Sequence, residues 1–314
     1  MLTDDHAAWG YASSTGLGFT HHTIVDAHFA ACRDPYLELL VRAGIQPGWR
    51  VLDVGCGSGE FLPHLARITG EGGHLSAVDL ADEHVALVEQ RSQEWDLPCS
   101  FDVRQGSALR LPYADDSFDA VWCANTVQYL DDDQLATALS EMRRVVRAGG
   151  IVAVKELDAS LITARPAPPY LFSDFFRAAA AAPGYARQLL RTRDLHRWLR
   201  EAGLSDVRQQ TALIEHHAPL STAAREFYGL ACARLADQAR TAATAAHEGA
   251  GADANAVADV VAREAWDAFA DPNGPEHPLD APYAYISEGN ALAVGIVPSD
   301  DASSRPPAGA DPGL

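Results

Sequence analysis

The sequence predicts an α/β protein with an open, mostly parallel sheet and helices on both faces. Two observations carry that reading. Short apolar runs alternate with helical stretches from about Pro35 onward, and glycines bound the runs. A third narrows it: the glycine-rich segment Gly55-Cys-Gly-Ser-Gly59 sits between the first run and the helix after it, where ligands meet helix amides.

Tyr36 to Ala43 carries Leu37, Leu40 and Val41 at helical spacing and closes at Gly44. Arg50 to Val54 reads as a buried strand, Glu60 to Ile68 as a helix ended by Gly70, and His74 to Leu80 as the second strand. A helix over Asp82 to Trp95 precedes a third strand around Phe101 and Val103. Phe118 to Ala124 is the fourth strand. Leu135, Leu139, Met142 and Val146 mark the helix behind it, with Asp131 to Asp133 at its start as cap and dipole partners. Gly149-Gly150 turns into a fifth strand, Ile151 to Glu156. Beyond it come an aromatic helix after Pro169, a helix over Arg193 to Ala202 and a strand over Val207 to His216. An alanine-rich helical stretch, Ser221 to Ala270, is broken near Gly249 to Gly251, and a last strand follows at Ala291 to Val297.

Composition narrows the function. The chain has 314 residues, 24 basic and 43 acidic, for a formal charge of −19. Such a surface repels phosphate backbones and anionic membranes, so neither nucleic acid nor a membrane is expected as partner. Lys155 is the only lysine, placed along the sheet edge. The five cysteines contain no CxxC pair, which suits a reducing compartment. Residues 1–10 lack a basic stretch followed by an apolar one, so the protein is expected to be cytoplasmic. No His, Asp or Glu set shows metal-ligand spacing, and no metal is expected.

The glycine loop excludes more than it includes. A dinucleotide site asks for Gly or Ala where Glu60 stands, and no Gly-Lys-Ser/Thr follows for a P-loop. What remains is G-x-G-x-G preceded by Asp53, a site with acid nearby and no fixed cation. That suits a ligand bearing an ammonium or sulfonium. Asp79 ends the second strand 20 residues beyond Gly59, where a carboxylate can accept both hydrogen bonds of a ribose diol. It can also serve as a cap for the helix near Asp82.

Five blocks in order resemble the class I S-adenosylmethionine-dependent methyltransferases, especially the small-molecule branch of quinone-biosynthesis and natural-product enzymes. They are Val51-Leu-Asp-Val-Gly-Cys-Gly-Ser-Gly59, Ala77-Val-Asp-Leu80, Gly106-Ser-Ala-Leu-Arg-Leu-Pro112, Asp116-Ser-Phe-Asp-Ala-Val121 and Arg144-Val-Val-Arg-Ala-Gly-Gly150. The resemblance implies a Rossmann-like, doubly wound sheet of seven strands, mostly parallel with an antiparallel last strand, and a helical insert or lid. It implies S-adenosyl-L-methionine as cofactor and S-adenosyl-L-homocysteine as product. The cofactor residues it implies are Asp53, Gly55, Cys56, Gly57, Gly59, Asp79, Leu80, Gly106, Ser107, Ala108 and Asn125. Ser107 replaces the family's adenine-binding Asp, and Ala148 replaces the Pro of its Pro-Gly-Gly. Ala124 to Gln128 lack the Asn-Pro-Pro-Tyr motif of amide methylation.

Methyl transfer from a sulfonium needs alignment, and needs a base only where the acceptor must lose a proton. His21 and His22 are the preferred bases, with solvent exposure or helix capping as their plainer reading. Glu156, at the carboxyl end of the fifth strand, is the third candidate. Segments flanking such sheets cover the acceptor. Here they supply Trp9, Tyr11 and Phe19 on one side and Tyr170, Phe172, Phe175 and Phe176 on the other, with Gln128 near the fourth strand. These aromatics suit a flat or apolar acceptor, and suit ordinary core packing as well.

The expected organisation is a lid segment over 1–34, a cofactor-binding core over 35–220 and a helical insert over 221–285. The last strand follows over 286–298 and a disordered tail over 299–314. The expected function is methyl transfer to a small, secondary-metabolic acceptor, with a homodimer left open. Two rivals stand beside it: an enzyme using the same cofactor for cyclisation or rearrangement, and a non-catalytic partner subunit of the same fold.

Overall fold

The computed structural model describes residues 12–247 and 256–299, the side chains of 242–261 excepted. The break predicted at Gly249 to Gly251 and the tail from residue 300 lie outside the described residues, as do Trp9 and Tyr11.

Seven strands form one mixed sheet in the order β3-β2-β1-β4-β5-β7-β6, with the last strand antiparallel. They are β1 (Arg50–Val54), β2 (His74–Asp79), β3 (Ser100–Gln105), β4 (Phe118–Ala124), β5 (Val146–Arg165), β6 (Ser205–His217) and β7 (Tyr285–Ile296). The helices are α1 (His22–Ala43), α2 (Leu62–Thr69), α3 (Asp82–Ser92), α4 (Asp132–Val145), α5 (Leu171–Ala179), α6 (Tyr185–Leu190), α7 (Leu195–Glu201), α8 (Thr222–His247) and α9 (Ala256–Phe269).

The chain divides into two compact units. One takes Leu40–Lys155, Asp194–Gln210 and the stretch from Leu292; the other takes the residues up to Leu39, Glu156–Arg193 and Thr211–Ala291. In the first, β1, β2 and β4 are apolar runs because both of their faces are covered. Their core joins Leu52, Val54, Val78, Val121, Leu139, Met142 and Val154. α4 follows from its sequence: Leu135, Ala138, Leu139, Met142 and Val145 fall on its buried face. Asp131 and Gln134 close a reciprocal capping box, as the run of acids there suggested.

Register matters most for the site. Val54 pairs with Val78, Asp79 with Gln105 and Ala124 with Lys155, so the carboxyl ends of these strands finish level. The loops that leave them therefore share one edge of the sheet.

Three elements are longer than their sequence pattern. α1 begins at His22 and runs through Pro35, so the expected boundary at 34/35 falls inside a helix. β5 continues past Glu156 to Arg165, and β7 starts at Tyr285 rather than Ala291. Charged residues ended both runs in the sequence, but here they are buried with partners. Asp158 accepts from Ser160 N–H at 3.0 Å and from Arg193 Nε at 2.9 Å. Glu288 is buried beside His28 and Asn290.

Candidate cofactor site

The loop after β1 is held from below by the neighbouring strand. Gly55 and Cys56 both donate to Val78 O, at 2.8 and 3.1 Å. Gly55 has φ +73°, and a Cβ there would collide with the Thr126 side chain, whose hydroxyl donates to Gly55 O at 3.2 Å. Gly57, at φ +52°, turns its N–H onto Asp79 Oδ2 at 2.8 Å. The loop ends as Leu62 N–H reaches Gly59 O at 3.0 Å, at the start of α2. Burial pushes the Cys56 thiol well above its ordinary range, so it is a neutral wall of the loop.

Asp79 organises the site. Besides Gly57, its carboxylate accepts Ala81 N–H at 2.9 Å, and its Oδ1 lies 3.1 Å from His84 Nδ1. One acid thus ties the glycine loop to the entry of α3. A carboxylate has about four acceptor positions, and with three taken by Gly57, Ala81 and His84 one remains for a ribose hydroxyl. The sequence pointed to Asp79 and its capping alternative; it did not point to His84, whose place one turn into α3 puts it under the same carboxylate. Asp53, buried one strand away, is pushed up to about 8, first by desolvation and then by the charge of Asp79. A cation in the site would relieve that cost.

The other expected cofactor residues sit at the same strand ends. Leu80 directly follows Asp79 and is 54% exposed, an apolar surface left uncovered at the rim. Gly106 donates its N–H to Asp79 O at 2.9 Å, and a Cβ there would press on Val78. Ser107 turns inward on its own loop, its hydroxyl accepting Leu109 N–H at 3.2 Å, while Ala108 packs on the core. Asn125 has the left-handed φ of +53° just past β4. Its Oδ1 accepts from Lys155 Nζ at 2.8 Å, and Gln128 Nε2 donates to its carbonyl at 3.2 Å. Lys155 is fully buried on an interior strand, which corrects its expected place along the sheet edge.

The candidate bases belong to the other compact unit. His21 caps α1: its Nδ1 accepts Thr23 N–H at 3.3 Å, and its ring lies against that of His22. His22 is the first helical residue and is half-buried. Glu156 is fully buried on β5. Of the expected acceptor residues, Phe172 is 2% exposed and packs edge-on against Trp266 and Phe269, while Phe176 is buried against Phe175. These rings pack as the core reading describes, and their acceptor reading stays a proposal. Tyr170 is 71% exposed, and Phe19 stacks on Tyr185.

Sequence reasoning missed a second polar cluster. His28 Nε2 lies 3.0 Å from Glu288 Oε1 and 2.9 Å from the Tyr36 hydroxyl, with its ring stacked on Phe227. Cys32 Sγ lies 3.5 Å from both Glu288 Oε1 and the Tyr228 hydroxyl. Histidine and carboxylate are 260 residues apart, and no local spacing could have joined them.

A parallel sheet with a glycine loop after β1 and an acid ending β2 defines an α/β protein that binds a nucleoside-type cofactor. The methyltransferase-domain family profile matches residues 51–150, the stretch that holds these features. A demethylmenaquinone methyltransferase of Alkalihalophilus pseudofirmus is 29% identical over 170 residues, covering 54% of this chain and 68% of that enzyme. One from Halalkalibacterium halodurans is 29% identical over 168 residues, 54% and 65% of the two chains. The methyltransferase GfsG of Streptomyces halstedii is 39% identical over 124 residues, 38% and 42%. The chain thus spans between 42% and 68% of the length of these relatives. Over this stretch the chain is similar to the S-adenosylmethionine-dependent methyltransferases of the small-molecule branch. Among the described residues, no helix is long and apolar enough to cross a membrane.

Proposed function

We propose that this methyltransferase transfers a methyl group from S-adenosylmethionine to an apolar, ring-containing small molecule. The observation that carries the cofactor reading is Asp79 holding Gly57 N–H at 2.8 Å and Ala81 N–H at 2.9 Å, which ties acid, loop and helix entry together. The residues fit the cofactor in three ways. Gly55 and Gly57 take the positive φ that the tight loop requires; Asp79 supplies negative charge, and Asp53, pushed up to about 8, can ionise beside a cation; and Leu80 offers an apolar face for a base. Asp79 is proposed for the ribose, with Gly106, Ser107 and Ala108 beside the adenine. Asn125 and Gln128 are proposed for the loop after β4, Gln128 on the acceptor side.

Bound there, the cofactor supplies an electrophilic methyl group, and the protein's task is alignment and exclusion of water. Where the acceptor must lose a proton, His22 and Glu156 are the proposed proton acceptors, since His21 spends Nδ1 on its helix cap. Phe19, Tyr170, Phe172, Phe175 and Phe176 are the proposed acceptor contacts, and Tyr11 is carried from the sequence alone. The names of the demethylmenaquinone methyltransferases support a quinone-like acceptor class. The charge of −19 supports a free small molecule over nucleic acid. Five cysteines with no CxxC pair support a reducing, cytoplasmic setting, and a homodimer is left to sedimentation to decide.

The test is turnover on a panel of quinones, phenols and polyketide-like acceptors, demethylmenaquinone among them. Each transfer should release one S-adenosylhomocysteine and add about 14 Da to the acceptor. Product without that mass would favour cyclisation or rearrangement. Cofactor binding without turnover on any acceptor would favour the partner-subunit reading.

A further inference from the structure

We propose that His28, Cys32 and Glu288 form a binding site for a zinc-class divalent cation. His28 and Cys32 are four residues apart on α1, which puts their side chains on one helix face, one turn apart. β7 brings Glu288 against that face. One ligand atom from each of the three lies within 4.8 Å of the other two. Nε2 to Oε1 is 3.0 Å and Sγ to Oε1 is 3.5 Å. A tetrahedral zinc with bonds of about 2.0–2.3 Å needs ligand atoms about 3.3–3.7 Å apart, so small rotamer shifts suffice.

The chemistry of the set points the same way. Thiolate, imidazole and carboxylate are the three donor types zinc selects, and three protein ligands leave one position for water or another oxygen. The Tyr36 hydroxyl lies 2.9 Å from His28 Nε2 and adds an oxygen to the cluster. Asn290 Nδ2 donates to Glu288 Oε1 at 2.7 Å, the kind of outer contact that orients a ligating carboxylate. His216 adds a buried Nε2 with no hydrogen-bond partner, on a ring 5.1 Å from that of Tyr228, which itself touches Cys32. Cys32 and Glu288 are buried, and a doubly charged cation would cancel the charge of a carboxylate and a thiolate together. Binding replaces the Cys32 S–H by an S–metal bond and releases that proton to solvent. His28 binds through the Nε2 lone pair and keeps its proton on Nδ1.

The site stands independently of the methyl-transfer reading, and its test needs no acceptor. The full chain, stripped with EDTA, is titrated with Co²⁺ and then with Zn²⁺. The expected result is one Co²⁺ per chain, with a near-ultraviolet thiolate-to-cobalt charge-transfer band and the strong visible absorption of four-coordinate cobalt, both abolished by one equivalent of Zn²⁺. Cys32→Ser should erase the charge-transfer band and weaken Zn²⁺ by more than about 100-fold, the upper end of what outer contacts alone cost. Cys99→Ser should keep both. A parent protein with no such band, or a band that survives Cys32→Ser, overturns the proposal. Should Cys32→Ser fail to fold by circular dichroism, Glu288→Gln takes its place, with the same 100-fold weakening expected, and the parent spectrum alone still decides.

Discussion

In the unit built on β1 to β4, the polar groups of the site come from four short stretches, residues 53–59, 79–84, 106–108 and 125–128. Parallel register sets these stretches side by side. In the unit that holds Glu156–Arg193 and Thr211–Ala291, the buried polar groups come one at a time from distant places: His28, Cys32 and Tyr36 from one helix, Tyr228 from another, Glu288 from a strand. The first arrangement is a local motif repeated across strand ends, and backbone amides do most of the holding. The second is a constellation of side chains whose key contacts join residues 196 to 260 positions apart. A loop held by amides keeps its shape when one side chain changes, whereas a constellation loses a partner with every substitution.

Asp79→Ala tests the exception in the first unit, since one side chain there holds Gly57, Ala81 and His84. Charge-assisted hydrogen bonds contribute roughly 1.5–3 kcal/mol each. Losing one to a ribose hydroxyl, together with the loop's anchor, should weaken S-adenosylhomocysteine by at least about 10-fold in titration calorimetry. Unchanged affinity would remove the ribose assignment.

Phe172→Ala probes the second unit. The ring is buried against Trp266 and Phe269, so truncation should cost about 3–5 kcal/mol in denaturant unfolding. A stable variant with a raised acceptor KM would return Phe172 to the acceptor pocket.

Asp53→Asn sharpens the electrostatic side. With its folded pKa raised from 3.8 to about 8, Asp53 stays protonated in the cofactor-free fold while the unfolded chain ionises. Its contribution to stability is therefore complete below about pH 4 and declines as pH rises towards 8, by at most about 1.4 kcal/mol per pH unit. Asp53→Asn should flatten that decline. It should also abolish the proton release that accompanies cationic cofactor binding near pH 7, read from calorimetry in buffers of different ionisation enthalpy. Proton release that persists in the variant would assign it to another group.

The smallest expected effect separates two neighbours. His21→Ala should cost about 1 kcal/mol, as loss of a helix cap does, be rescued by His21→Asn, and leave turnover within a few-fold. His22→Ala should cost little stability but lower turnover on the order of 100-fold for an acceptor that must lose a proton. The reverse pattern would give the proton to His21.

The amino-acid sequence alone determined the cofactor half of this protein. Asp53, the glycines and Asp79 lie within about thirty residues of one another, and their spacing maps directly onto strand, turn and helix. Apolar runs on β1, β2 and β4 were legible because a strand covered on both faces is apolar at every position. Only the tertiary structure decided the remainder. The true lengths of β5 and β7 were hidden because Asp158 and Glu288 look like surface residues until Arg193 and His28 arrive to satisfy them. Lys155 was hidden likewise, its burial depending on Asn125 in the loop after a neighbouring strand. A buried charge is legible only together with its partner, and across 260 residues the folded chain alone says which partner that is.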